Sequence, residues 1–230
     1  MEAGRSYGHF CAAARALEAV GERWTLLVVR DLLLGPRRFT DLARTLTGIT
    51  PKRLTNRLRH LEAVGLVQRE SGKGRQVWYR LTESGRDLGP VVESLVVWGI
   101  KHQPLARRPG EPVLPEPLMH GAKALLVGWD MTVTQPVAWV WRFRGDGAYT
   151  LRYTGTAWQL SREHAEPADV LIDTTAEAWH GLLTAPPGQR RLTRPDFHLA
   201  ATAAARERFG AAFAFGLGPE QAVQQQISGT

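Results

Sequence analysis

Apolar positions in the first hundred residues recur at helical spacing, whereas those beyond about residue 137 alternate. The two halves therefore predict different folds. Phe10 to Val20 reads as a helix with Leu17 and Val20 on its apolar side. Trp24, Leu27, Val28, Leu32 and Leu34 make the stripe of a second helix, which Gly35-Pro36 stops. Thr40, Leu42 and Leu46 fit a short third helix ending near Gly48. Thr50-Pro51 then opens a fourth, an N-cap residue followed by one suited to the first helical position. Its buried face is Leu54, Leu58 and Leu61, at i, i+4, i+7. Lys52, Asn56 and Arg59 point the opposite way, and Arg53 and His60 lie on one flank. Leu66-Val67 and Val77-Trp78-Tyr79 are β-prone and bracket a Ser71–Arg75 turn. Thr82 to Gly85 begins a last helix, in which Leu88, Val91, Val92, Leu95 and Trp98 form a wider apolar surface than a small domain needs.

In the second half Val137, Trp139, Trp141 and Phe143 alternate with smaller or charged residues. So do Tyr149, Leu151 and Tyr153, and then Trp158 and Leu160. Such period-two runs are half-buried antiparallel strands, and Gly145-Asp146-Gly147 and Gly155-Thr156 are hairpin turns. Asp169 to Asp173 gives a fourth strand. Thr174 with Glu177 predicts a capping box on a helix through Trp179 and Leu183, and Phe197 to Phe215 predicts a final helix. This half reads as a meander sheet with helices on one side. Between the halves, Pro104, Pro109, Pro112, Pro115 and Pro117 favour an extended connection. The expected organisation is a mainly α domain over 1–103, a linker over 104–118 and an α+β domain over 119–230, its largely antiparallel sheet covered by helices.

Charge separates the same two halves. Of the +7 formal charge on 230 residues, all lies within 1–103, which hold 17 Lys and Arg against 10 Asp and Glu; the remainder is balanced at 12 of each. A polyanionic partner for the first domain alone follows. The single cysteine, Cys11, excludes an intrachain disulfide and an all-cysteine zinc site. No apolar run has the length of a membrane span, and MEAGRSYGHF lacks the core of a signal peptide, so a soluble cytoplasmic protein without a membrane partner is expected.

A helix fits the major groove, and hydrogen bonds to base edges there select sequence. Lys52, Arg53, Asn56 and Arg57 occupy the first two turns after Thr50, with His60 one turn further on. Asn suits an adenine edge and Arg a guanine edge. Arg37 and Arg38 precede the third helix, where a phosphate could meet guanidinium charge and free N–H groups. Lys73 and Arg75 at the hairpin tip are placed for the neighbouring backbone. Each cation taken singly is equally well a solvated surface charge, and Arg57, beside the leucine stripe, could brace its helix; as a set on three consecutive elements they point to double-stranded DNA.

GERWTLLVVRDLLLGPRRFTDLARTL, GITPKRLTNRLRHLEAVGLVQRE and VWYRLTESGRDL closely resemble the HxlR family of bacterial transcription regulators, over about residues 9–101. The resemblance implies a winged helix-turn-helix homodimer that binds operator DNA as a repressor or activator, with repression expected here. It implies an interface built from the first helix and the last, through Leu17, Leu88, Val92, Leu95 and Trp98. Cys11 matches a cysteine that takes part in redox or electrophile sensing in some members; the alternative is a small hydrophobe buried in the dimer interface.

The tryptophans of the second half either fill a core or line a cavity for an apolar ligand. ADVLIDTTAEAWHGLLTA and RRLTRPDFHLAATAAARERF resemble the sterol carrier protein-like fold over about residues 120–215. That resemblance implies a hydrophobic effector in a pocket of Trp139, Trp141, Tyr153, Trp158, Trp179, Phe209 and Phe213. A lipid carrier whose first domain makes only protein contacts is the rival reading, as is a regulator sensing through Cys11. His164, His180 and His198 have no metal-ligand spacing, Ser161 lacks a nucleophile elbow, and no phosphate loop occurs. No enzymatic activity, catalytic residue, metal or cofactor is expected.

Overall fold

The computed structural model describes residues 6–72, 76–103, 107–128, 131, 133–185 and 195–213. The chain divides into two compact units between Val92 and Glu93.

The first unit contains α1 (Ala12–Val20), α2 (Thr25–Leu32), β1 (Arg37–Arg38), α3 (Phe39–Thr45), α4 (Pro51–Ala63), β2 (Val67–Ser71), β3 (Val77–Leu81), α5 (Glu83–Arg86) and the first turn of α6 (Gly89–His102). Val28, Val29, Leu32, Leu42, Leu46, Leu54, Leu58 and Leu61 make its core with Val67, Leu81 and Val92. β2 and β3 form an antiparallel hairpin with Val67 opposite Leu81, and β1 joins the other edge of β3 with Arg38 opposite Trp78. Helices followed by this three-stranded wing are a winged helix-turn-helix. One carboxylate lies inside it: Asp31, fully buried, accepts hydrogen bonds from Arg30 and from the Thr45 hydroxyl, linking α2 to α3. A buried charge persists only when paired in this way.

Several local expectations need correction. Trp24 precedes α2 with a left-handed backbone (φ 79°), although its side chain packs against the core, and Leu27 is 39% exposed, so it lies outside the buried stripe. The strand β1 was missed, because two residues show no periodicity. The helix expected to run on from Thr82 is broken: α5 ends at Arg86 and α6 restarts at Gly89. Pro90 supplies the reason, since it belongs in a helix's first turn and not its interior. At the strand-to-helix junction the Thr82 side chain accepts from the Gly85 N–H at 3.1 Å and donates to the Gly65 carbonyl at 2.7 Å. A Cβ on Gly85 would lie 2.1 Å from the Leu66 carbonyl oxygen, so only glycine fits.

The second unit holds the rest of α6, then α7 (Pro115–Gly128), β4 (Val137–Phe143), β5 (Gly147–Tyr153), β6 (Trp158–Ser161), β7 (Val170–Thr174), α8 (Ala176–Thr184), β8 (Phe197–Ala201) and α9 (Ala203–Ala212). The extended stretch expected through 118 ends earlier, because Pro115 and Pro117 sit in the first turn of α7, where their missing N–H groups cost nothing. Between them Glu116, 2% exposed, accepts from the Tyr149 hydroxyl at 3.3 Å and lies 3.7 Å from Arg162.

The sheet has the order β6-β5-β4-β7-β8 and is mixed. β4 pairs antiparallel with β5 but parallel with β7, Trp141 standing opposite Ile172. A plain meander is therefore excluded. Thr175, not Thr174, caps α8 by accepting from the Ala178 N–H at 3.1 Å. The helix expected from Phe197 begins as the edge strand β8, and Thr202 caps the helix that follows. The alanines of 200–205 carry no period that distinguishes the two states.

Candidate nucleic-acid interface

The fourth helix is built as the sequence implies. Thr50 has an extended backbone and accepts from the Arg53 N–H at 3.4 Å, and Pro51 occupies the first turn. Leu54, Leu58 and Leu61 are at most 1% exposed. With that face anchored, Lys52, Arg53, Asn56 and Arg59 project into solvent. Arg57 is half-buried, its Nη1 sheltered from solvent without a hydrogen-bond partner. His60 turns inward: its Nε2 lies 2.9 Å from the Ala19 carbonyl oxygen. The outward, amide-bearing and cationic ridge is thus Lys52, Arg53, Asn56 and Arg59.

The two arginines before α3 take different places. Arg37 is 6% exposed, and its charge helps hold the Asp41 carboxylate ionised. Arg38 keeps 46% of its side chain in water while donating to both Asp41 oxygens, at 3.1 and 3.2 Å, and lying 5.5 Å from the Trp78 ring centroid. Its own N–H also donates to Asp41 at 3.1 Å. Burial raises the Asp41 pKa, but the hydrogen bonds and charge of Arg38 outweigh it and leave the group below its ordinary value. The contact from α3 to the wing through Trp78 was not anticipated; pairing of Arg38 with Trp78 depends on β1, which has no sequence period. Lys73 and Arg75 lie outside the described residues.

The residues expected at a dimer interface divide in the same manner. Leu17, Leu95 and Trp98 are 50%, 49% and 52% exposed, and Val91 is 48% exposed. Val91, Leu95 and Trp98 share one face of α6. Val92 is 4% exposed and Leu88 packs against the same core, so both are spent inside their own unit. Cys11 stands exposed at the N-terminus of α1. Hydrogen bonds from the Ala14 and Ala13 N–H groups lower its pKa below the usual thiol value.

The aromatic residues expected to line a ligand pocket are core. Trp139, Trp141, Trp179, Phe209 and Phe213 are at most 1% exposed, and Tyr153 and Trp158 are 6% exposed. They pack on one another: Trp139 meets Trp158 at 4.9 Å and Phe209 at 5.2 Å between centroids, and Trp141 meets Trp179 at 5.2 Å. Large rings alternating on one sheet face fill it. Phe213 also lines a cavity bounded by residues of α6, α7 and α8. Its other lining residues went unread; a mid-helix glycine in each of α6 and α7 was the available signal. Among the described residues no group of three or more His, Cys, Asp or Glu could hold a metal. No described helix is long and apolar enough to cross a membrane.

The chain is similar in sequence to known proteins over its N-terminal part. A family described as HxlR-like helix-turn-helix matches residues 19–106. An HTH-type transcriptional regulator of Mycobacterium tuberculosis is 47% identical over 104 residues, 44% of this chain and 64% of that protein. The HTH-type transcriptional regulator YkvN of Bacillus subtilis is 38% identical over 91 residues, 39% of this chain and 77% of YkvN. Among solved structures, the reduced redox regulator HypR is 33% identical, with 41% of this chain and 96% of HypR aligned at a TM-score of 0.39.

Proposed function

Since the chain belongs to the HxlR-like helix-turn-helix family, we propose that it is a homodimeric transcription regulator that binds operator DNA through α4 and acts as a repressor. The observation that carries this reading is the two-sided construction of α4. Leu54, Leu58 and Leu61 fasten one face to the core, and Lys52, Arg53, Asn56 and Arg59 stand free on the other. Base edges are read by Asn56 and Arg53, and phosphates are met by Lys52, Arg38 and the hairpin cations Lys73 and Arg75. Leu17, Leu95 and Trp98 supply apolar surface that a lone chain leaves in water, which supports self-association. The second unit receives a small hydrophobic effector, which alters the spacing of paired recognition helices and hence the fit to two half-sites. In support, α6 starts in the first unit and ends in the second.

Fluorescence anisotropy of the full chain with DNA from upstream of its own gene, across a salt series, tests the reading. Nanomolar binding that weakens linearly with the logarithm of salt is expected, together with far weaker binding to random duplex. Equal affinity for both duplexes, or none in dilute buffer, overturns it.

A second reading makes Cys11 the sensor, favoured by an exposed thiol with a lowered pKa. Loss of the response to electrophiles in Cys11→Ser, with DNA binding retained, would establish it.

A further inference from the structure

The second unit holds a cavity of about 510 Å³, within the range of roughly 300–1,000 Å³ typical of small-molecule sites. Ile100 of α6, Leu125 of α7, Leu183 of α8 and Phe213 form apolar walls. None of the described lining residues is Asp, Glu, Lys or Arg. Its polar members are His180 and Thr184, and the Thr184 hydroxyl already donates to the His180 carbonyl at 2.8 Å. What Thr184 retains for a ligand is lone pairs, so it accepts.

Two glycines carry the inference further. Gly99 in α6 and Gly121 in α7 both line the cavity, and a Cβ at either would meet no atom within 4 Å. A glycine inside a helix costs about 1 kcal/mol relative to alanine, and close helix packing is the usual compensation. Gly128 shows that compensation, since its Cβ would fall 2.8 Å from a Val97 methyl group. At Gly99 and Gly121 no neighbour requires the missing side chain. What the two glycines preserve is open volume, beside an aromatic core already filled by rings.

We propose that this cavity binds a neutral, predominantly hydrophobic small molecule carrying one hydroxyl group. At interior packing density the volume takes roughly 20 non-hydrogen atoms. The ligand is neutral because none of the described lining residues is Asp, Glu, Lys or Arg, so a charged group buried against these walls would lose its hydration with no fixed counter-charge. Its hydroxyl donates to Thr184. Phe213 gives the site an optical reporter, with its ring 5.5 Å from that of Trp179 and 5.9 Å from that of Trp139. The proposal deepens the effector reading above and rests on that reading only for any consequence at DNA.

The test titrates the full chain with the uncharged fluorophore N-phenyl-1-naphthylamine, following energy transfer from tryptophan. Saturable binding is expected, with displacement by decan-1-ol at least tenfold more effective than by decanoate. Gly99→Leu and Gly121→Leu fill the volume and should each weaken the probe at least tenfold, with the thermal midpoint kept or raised. Should a leucine variant fail to fold, Gly121→Ala, which meets only open space, should still weaken the probe two- to threefold. Binding that does not saturate, equal displacement by decanoate, or unchanged affinity in the filled variants overturns the proposal. Operator anisotropy with and without decan-1-ol separates the two claims. Probe binding without any change at DNA supports the cavity and removes the effector role. Absent probe binding with intact operator binding removes the cavity and leaves the regulator.

Discussion

The imidazole Nε2 of His60 lies 2.9 Å from the backbone carbonyl oxygen of Ala19, fastening the last turn of α4 to the end of α1. A residue whose position on the helical wheel suggested DNA is instead a bolt between two helices. His60→Ala should therefore lower stability by about 1 kcal/mol, the worth of one hydrogen bond, and leave operator affinity of the folded chain within a factor of two. Urea denaturation and DNA titration on the same variant check both halves of the statement.

Arg53 and Asn56 stand on the free face of α4. Replacing either with alanine should weaken operator binding by about 1–3 kcal/mol while random duplex loses much less. Lys52→Ala should instead weaken all sequences alike and reduce the salt slope by about 1. If Asn56→Ala lost equally on both duplexes, its base-reading role would be wrong.

Gly85 sits where a Cβ would overlap the Leu66 carbonyl oxygen at 2.1 Å. Backbone cannot yield there without opening the junction between the wing and α5, so Gly85→Ala should cost about 2–3 kcal/mol. A fall in the denaturation midpoint with an unchanged slope would show it; an unshifted midpoint would contradict the geometry.

The Arg38–Asp41 pair makes a small contribution with a defined pH sign. Asp41 is lowered in the fold: burial acts to raise it, and Arg38 prevails. A depressed carboxyl stabilises above its unfolded pKa, and that stability is lost as pH falls through the lower folded value. With Arg38 46% exposed, solvent screening keeps the gain small. Acid titrations of stability for the parent chain and Asp41→Asn should diverge near neutral pH and converge in strong acid.

The backbone N–H groups of Ala14 and Ala13 lower the Cys11 pKa, and thiolate reactivity follows thiolate population. Iodoacetamide should modify it faster at neutral pH than it modifies a cysteine in a short unstructured peptide. A rate no faster than the peptide's would remove the basis for a sensing role.

Much of the first unit was legible from residues alone. Leu54, Leu58 and Leu61 announced a buried face, and Thr50-Pro51 announced where the helix begins; both are local properties, set by turn spacing and by which backbone groups lack partners. Alternation at Trp139, Trp141 and Phe143 likewise named one face of a strand. Periodicity, however, says which side of an element is inside and not which element lies beside it. That is why β7 beside β4 in parallel, β1 on the wing and the edge strand β8 escaped notice. Two-residue strands and alanine runs carry no period at all.

Sequence by itself determined the cationic and amide side chains of α4, the net positive charge within residues 1–103, the strand faces and most helix starts, because these depend on the residues themselves and on neighbours a few positions away. Tertiary structure alone decided how those groups are used. It turned His60 and Arg37 inward, stacked the tryptophans into a solid core where a pocket had been expected, and left the free volume beside Gly99 and Gly121. The physical reason is that burial and cavity are properties of three-dimensional packing: whether a ring fills space or borders it depends on side chains on other elements, such as Phe209 against Trp139 and Trp179 against Trp141.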